Sequence, residues 1–195
     1  MTIAEDTGIR RFTREEYHLM AEVGLFWGQR VELINGEIHV MSPQNDPHAS
    51  AIMHLTHVLA RRVPEDFRVR VQLPLAISDI SEPEPDIAII KLEPGVIRNR
   101  SGCPTTAKLV IEVADTSLSR DVKKADAYAS AAVSEYWILD LQGERLHVYR
   151  KPVSNPGEAG GAQYQEVRVL SSSDSIEPQF VPVASLRVSD LLTAL

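Results

Sequence analysis

The sequence predicts an α/β fold: a mixed β-sheet flanked by helices, with an N-terminal helix and β-hairpin. Three observations predict it. An Asn35-Gly36 pair separates two strand-like runs, the strongest short-range hairpin signal. Continuous apolar runs at 86–91 and 108–113 read as central strands covered on both faces. Apolar positions at helical spacing over about 47–62 and an alanine-rich segment over about 119–132 supply helices to cover them. Helices and strands interspersed in this order imply a mixed sheet between helices.

Residues 1–11 read as a flexible tail, and 12–195 as a single domain, a size ordinary for one. Thr13-Arg14-Glu15-Glu16 is a capping-box pattern, which starts a short helix that Gly24 stops. Val31–Ile34 and Glu37–Met41 flank the Asn-Gly turn. Ala51, Ile52, Leu55, Val58 and Leu59 form one apolar helix face. Phe67, Val69, Val71, Leu73 and Leu75 alternate strictly and predict a half-buried strand. After the two central strands and the alanine-rich helix come strands at 135–140 and 145–149, turned by Gln142-Gly143. Residues 152–162, rich in Gly and Pro, predict a mobile loop. Strands near 163–170 and 176–181 and a short helix after Ser189 complete the chain.

Composition narrows the function. Hydrophobic residues make up 44% and charged residues 24%, the profile of a soluble globular protein. No apolar run reaches the roughly 18 residues that cross a bilayer, so no membrane role is expected. The acidic N-terminus lacks an apolar h-region, which predicts no secretory signal and a cytoplasmic location. Cys103 is the only cysteine, so internal disulfides and cysteine metal clusters are excluded. Neither a Gly-x-Ser-x-Gly elbow nor a Gly-x-x-x-x-Gly-Lys phosphate loop is present. The net charge of −7 opposes non-specific nucleic-acid binding unless cations are concentrated locally or a bound metal offsets the acids.

Two carboxylates interrupt the apolar strands. Asp86 opens one strand after the stiff Glu82-Pro83-Glu84-Pro85 approach. A rigidly placed carboxylate suits Mg²⁺; the alternative is an exposed strand-end acid. Glu112 lies inside Leu109-Val110-Ile111-Glu112-Val113, where a charge needs a partner. The alternative is a solvent-facing position on an edge strand. Lys124 shares a helix face with Asp121 and Tyr128, and could position an attacking water or offset phosphate charge. By itself, that lysine reads as half of a solvated surface pair. Two acids plus a lysine on such a scaffold is the layout of a metal-dependent phosphodiesterase. Glu32 reads from periodicity as the polar position of a hairpin strand. His54 and His57 form no His-Glu-x-x-His motif, and the spacing of His48 gives it no role.

Further motifs join these in order: Tyr17 in the opening helix, Val31-Glu32-Leu33-Ile34-Asn35-Gly36-Glu37, Met41-Ser42-Pro43 with His48, and Glu84-Pro85-Asp86-Ile87-Ala88. Leu109–Val113, Lys124 with Tyr128, and Val133–Asp140 follow. Over roughly residues 12–150 the sequence resembles the putative restriction-endonuclease (Uma2-like) family of the PD-(D/E)xK nuclease superfamily. The resemblance implies a restriction-endonuclease-like fold, Asp86 and Glu112 as metal ligands, and Glu32 as an additional acid at the metal. The lysine of the (D/E)xK motif would fall at position 114, which is Ala114. The resemblance then implies that Lys124, on the following helix, takes its place. The expectation is an endonuclease dependent on Mg²⁺ or Mn²⁺, acting on phosphodiester bonds in DNA as a homodimer. The alternatives are a catalytically degenerate binding or assembly module on the same fold, and a metal-dependent hydrolase of another phosphoester.

Overall fold

The computed structural model describes residues 8–92, 103–154 and 161–192. Helix α1 (Arg14–Glu22) begins as expected: the Thr13 hydroxyl accepts from Glu16 N, and the Glu16 carboxylate accepts from Thr13 N at 3.0 Å. Gly24, at φ +80°, turns the chain away. Strands β1 (Val31–Ile34) and β2 (Glu37–Val40) pair antiparallel around Asn35 and Gly36. Both turn residues have positive φ, as the tight hairpin turn requires. Gly36 has a second constraint, because a Cβ there would lie 2.5 Å from the Arg11 Cβ. Of the expected tail, residues 1–7 lie outside the described residues. Arg11 is tied to the hairpin through Asn35 O at 3.0 Å and an ion pair with Glu37.

Helix α2 (Asp46–Ala60) is capped by Asn45 and buries the predicted stripe. Next come β3 (Phe67–Val71), β4 (Ile87–Lys91), β5 (Leu109–Ala114), α3 (Leu118–Ser130), β6 (Glu135–Asp140), β7 (Arg145–Ser154) and β8 (Ala162–Ser171). These strands form a six-stranded sheet in the order β3-β4-β5-β6-β7-β8. Only the β5–β6 pair is parallel, and α3 is its crossover. The chain ends with the short β9 (Ser175–Ile176), β10 (Leu186–Arg187) and α4 (Val188–Leu192).

Alternation along the central strands divides the core. Ile87, Ile89, Leu109, Ile111, Val113, Trp137 and Leu139 share one cluster with the buried stripe of α2 and with α4. Ala88, Val110, Ala114, Tyr136 and Ile138 share the other with α3. Tyr128, Tyr136, Tyr149 and Tyr164 stack through this second cluster, with ring centroids 4.8–6.5 Å apart.

Three expectations change. The alternating strand stops at Val71, because Gln72 takes φ +50° and its N–H turns to the Asp86 carbonyl at 3.1 Å. Of the late strand expected near 176–181 only Ile176 pairs, in the two-residue Ser175–Ile176; Pro178 and Pro182 lie just beyond it and cannot donate to a ladder. Strand β7 runs on to Ser154 and β8 starts at Ala162, so the expected loop shrinks from both sides. Its remaining residues 155–160 lie outside the described residues.

Candidate active site

The β4–β5 register pairs Ile87 with Ile111 and Ala88 with Val110. One further step sets Asp86 opposite Glu112, on the face that α3 covers. Each carboxylate is held by a backbone N–H of the strand that carries the other. Asp86 N donates to Glu112 Oε2 at 3.2 Å, and Val113 N donates to Asp86 Oδ2 at 2.9 Å. Gln72 Nε2 donates to Asp86 Oδ1 at 3.3 Å, which is the consequence of the early strand end. His48, in the first turn of α2, brings Nε2 to 3.2 Å from Asp86 Oδ2. That hydrogen bond, aided by the Asp86 charge, raises the imidazole pKa against the effect of burial.

Lys124 points from α3 into the same place. Its Nζ lies 2.9 Å from Glu32 Oε1, 3.1 Å from Glu112 Oε1 and 3.9 Å from Asp121 Oδ1. Burial depresses the ammonium pKa, but Glu112, Glu32 and Asp121 outweigh it and hold the pKa above its ordinary value. Tyr128 OH donates to Glu112 Oε1 at 2.9 Å. Helix geometry explains the trio: Asp121, Lys124 and Tyr128 are spaced by three and four, so they share the buried face of α3.

Glu32, Asp86, Glu112 and Asp121 are all buried, with Lys124 the buried cation among them. Burial pushes the Glu112 pKa up to about 8; Asp86, Asp121 and Glu32 add to the rise, and Lys124 only partly offsets it. Burial likewise raises the Asp121 carboxyl pKa against Lys124. These groups border a cavity of about 90 Å³ whose lining carries six carboxylates against three Lys or Arg side chains. Such an excess of buried negative charge is costly unless protons or a cation compensate it.

The donor set fits Mg²⁺ in a particular way. Among the described residues, no group of three or more His, Cys, Asp or Glu side chains is arranged to hold an ion alone. Mg²⁺ does not need one: it is commonly held by one or two carboxylates with water and phosphate oxygens. Asp86 and Glu112, adjacent across the β4–β5 pair, are two carboxylates that fit that number. Glu32 and Glu112 are both engaged by Lys124: Glu112 Oε1 also accepts from Tyr128 OH, and Glu32 Oε2 also accepts from Glu84 N at 3.3 Å. Direct ligation through Glu32 Oε1 or Glu112 Oε1 would require that oxygen to release the lysine.

All four sequence-nominated residues therefore meet at one cavity. Sequence reasoning missed Gln72, whose role depends on a positive-φ backbone with no local signature. It noticed His48 without a role, because the contact with Asp86 spans 38 residues. Asp121 was placed beside Lys124, but its burial carries no local signal.

A sequence model of the Uma2 family, described as "Putative restriction endonuclease", matches residues 14–189. Among solved structures, the chain is similar to the crystal structure of a putative nuclease belonging to DUF820 from Anabaena variabilis ATCC 29413. The TM-score is 0.67 at 19% sequence identity, covering 84% of this chain and 90% of that one. At that identity the likeness speaks to the fold, the mixed sheet flanked by helices. No curated protein matches the chain.

Proposed function

The chain belongs to the Uma2 family of putative restriction endonucleases, and on that premise we propose that it is a metal-dependent endonuclease acting on DNA. The observation that carries this reading is the Asp86–Glu112–Lys124 constellation beside an acid-rich cavity. Asp86 and Glu112 would hold Mg²⁺ or Mn²⁺. Bound there, the ion would lower the pKa of a water and offset charge on the scissile phosphate.

The remaining work falls to the chain itself. Val113 N–H and Gln72 fix the Asp86 carboxylate, so its oxygens are positioned before an ion arrives. Burial raises the Glu112 pKa, and a cation held beside it would favour the carboxylate form with loss of the proton. Lys124 stays charged and offers its ammonium to the attacking water or to the developing phosphate charge. Glu32 also holds that ammonium, with Oε1 at 2.9 Å. This arrangement supports Lys124 as the replacement for the lysine missing at Ala114, because Nζ reaches a Glu112 oxygen from the neighbouring helix. A homodimer belongs to the same proposal, since two-fold symmetry presents one site to each strand of a duplex.

The test is cleavage of plasmid and single-stranded DNA with Mg²⁺ or Mn²⁺, with chelator as control. Cleavage lost in Asp86→Ala and Glu112→Gln is expected. No cleavage by the wild type across metals and DNA forms would favour the binding or assembly module instead. Sedimentation equilibrium checks the dimer, and a monomer at micromolar concentration would remove it.

A further inference from the structure

Glu32, Arg120 and Lys124 line two cavities, so they form a wall with a different chamber on each side. The first is the acid-rich cavity described above. The second, about 240 Å³, is bordered by the β1–β2 hairpin and α3 and carries the opposite charge. Four cations, Arg11, Arg120, Lys123 and Lys124, line it against two carboxylates, Glu32 and Glu37. Both carboxylates are already engaged, Glu32 by Lys124 and Glu37 by Arg11. The side chains of Arg120 and Lys123 make no ion pair or hydrogen bond among the described residues. They are three apart on α3 and share a face.

We infer that this second cavity is an anion site that takes a backbone phosphate of the nucleic-acid substrate, close to the bond cut at the first cavity. The inference rests on the nuclease reading. Its volume is many times the roughly 30 Å³ share of a water molecule, so a phosphate group has room. Guanidinium forks and ammonium groups are the side chains suited to phosphate oxygens. Arg11 is held in advance: Phe12 N donates to Gly36 O at 2.9 Å, and the close approach of Arg11 to Gly36 leaves no room for a side chain there. The site also answers the problem posed by the net charge of −7, because the cations are gathered where substrate must pass. One wall thus separates a chamber for a metal cation from a chamber for a phosphate anion.

The test has two arms, each on the full chain. In the first, inorganic phosphate is titrated into the wild type and followed by ¹H–¹⁵N NMR. Saturable shifts of amides in α3 and at Asn35 and Gly36 are expected, lost in Arg120→Gln/Lys123→Gln and retained in Arg168→Gln, a control on β8 outside both cavities. No saturable response, or one unchanged in the double variant, overturns the anion site. In the second arm, a single-stranded oligonucleotide is bound to Glu112→Gln without divalent ions, over a range of salt. Adding Arg120→Gln/Lys123→Gln should make the slope of log affinity against log salt shallower by about 0.7, the value for one phosphate of a single strand. An unchanged slope beside an intact phosphate response would mean that free phosphate, not nucleic acid, is the ligand, and would overturn the assignment to substrate. The nuclease reading fails separately: a wild type that shows the phosphate response but cleaves no DNA loses that reading and keeps the anion site.

Discussion

Among the described residues, each face of the sheet carries one buried cation, and the two are built differently. On the face packed against α2 and α4, Arg150 Nε lies 2.6 Å from Glu135 Oε1. Every other polar contact there is closed: Arg150 donates to Glu177 O at 2.7 Å, Gln179 N donates to Glu135 Oε2 at 2.7 Å, and Trp137 Nε1 donates to Glu135 Oε1 at 3.2 Å. One acid meets one base, and neither cavity reaches them. On the α3 face, Lys124 meets Glu32, Glu112 and Asp121, with Asp86 close by, and a cavity opens onto the cluster. Burial is common to both clusters, so burial alone does not mark a site. Charge balance does: the first cluster is complete as it stands, while the second has an excess of acid that an incoming cation would resolve.

The largest effect that could break this comparison is on stability. Arg150→Ala leaves Glu135 buried and unpaired and should cost about 3–5 kcal/mol, measured by urea unfolding. The loss should be the same with and without Mg²⁺. A cost below about 1 kcal/mol would mean that the pair is not the closed structural unit described.

Next comes Lys124→Ala. On the proposed division of labour, with the lysine acting on the reaction and the carboxylates on the ion, it should lower DNA cleavage by about 10²–10³-fold while Mg²⁺ binding survives. Single-turnover cleavage and calorimetry separate the two. Loss of Mg²⁺ binding would make Lys124 a structural counter-ion like Arg150.

The two clusters differ in pH response as well. In the folded chain Glu112 keeps its proton up to about pH 8, whereas the unfolded chain releases it near the ordinary 4.5. The folded state binds more protons in that window. Metal-free stability should therefore fall as pH rises from about 4.5 to 8, by at most about 1.4 kcal/mol per pH unit for one proton. Glu112→Gln should flatten the fall. Thermal unfolding in chelator across this range checks it, and a wild-type profile identical to that of Glu112→Gln would contradict the raised pKa.

The smallest expected effect is Tyr128→Phe, which removes one hydrogen bond to Glu112 and should cost about 1 kcal/mol of stability. Cleavage should persist, because Tyr128 holds Glu112 and touches no reacting atom. A loss as large as that of Lys124→Ala would move the hydroxyl into the catalytic group.

These clusters also show what sequence can reveal. Asp86 and Glu112 stood out because each interrupts or opens an apolar run, and Lys124 because its spacing from Asp121 and Tyr128 defines a helix face. The capping box at Thr13 and the turn at Asn35-Gly36 are local signals, and both elements form as read. Glu135 is equally buried but reads in the sequence only as the first residue of a strand, because its cross-strand partner Arg150 falls one residue past the predicted end of the next strand. Glu32 looked like a solvent-facing hairpin residue from periodicity. Only the packing of the hairpin against α3 buries it against Lys124, 92 residues away. Gln72 was hidden for a related reason: the alternation through Leu75 continues past the point where the backbone leaves the sheet.

The claim at the centre of this account is that the acid excess on the α3 face is a cation site. Calorimetric titration of Mg²⁺ into the wild type, Asp86→Ala and Arg150→Lys tests it most directly. Saturable binding to the wild type is expected, accompanied by proton release below about pH 8. Binding should be lost or greatly weakened in Asp86→Ala, and retained in Arg150→Lys, which keeps the charge of the balanced pair. Equal Mg²⁺ affinity in the wild type and Asp86→Ala, or no binding to either, would contradict the cation site.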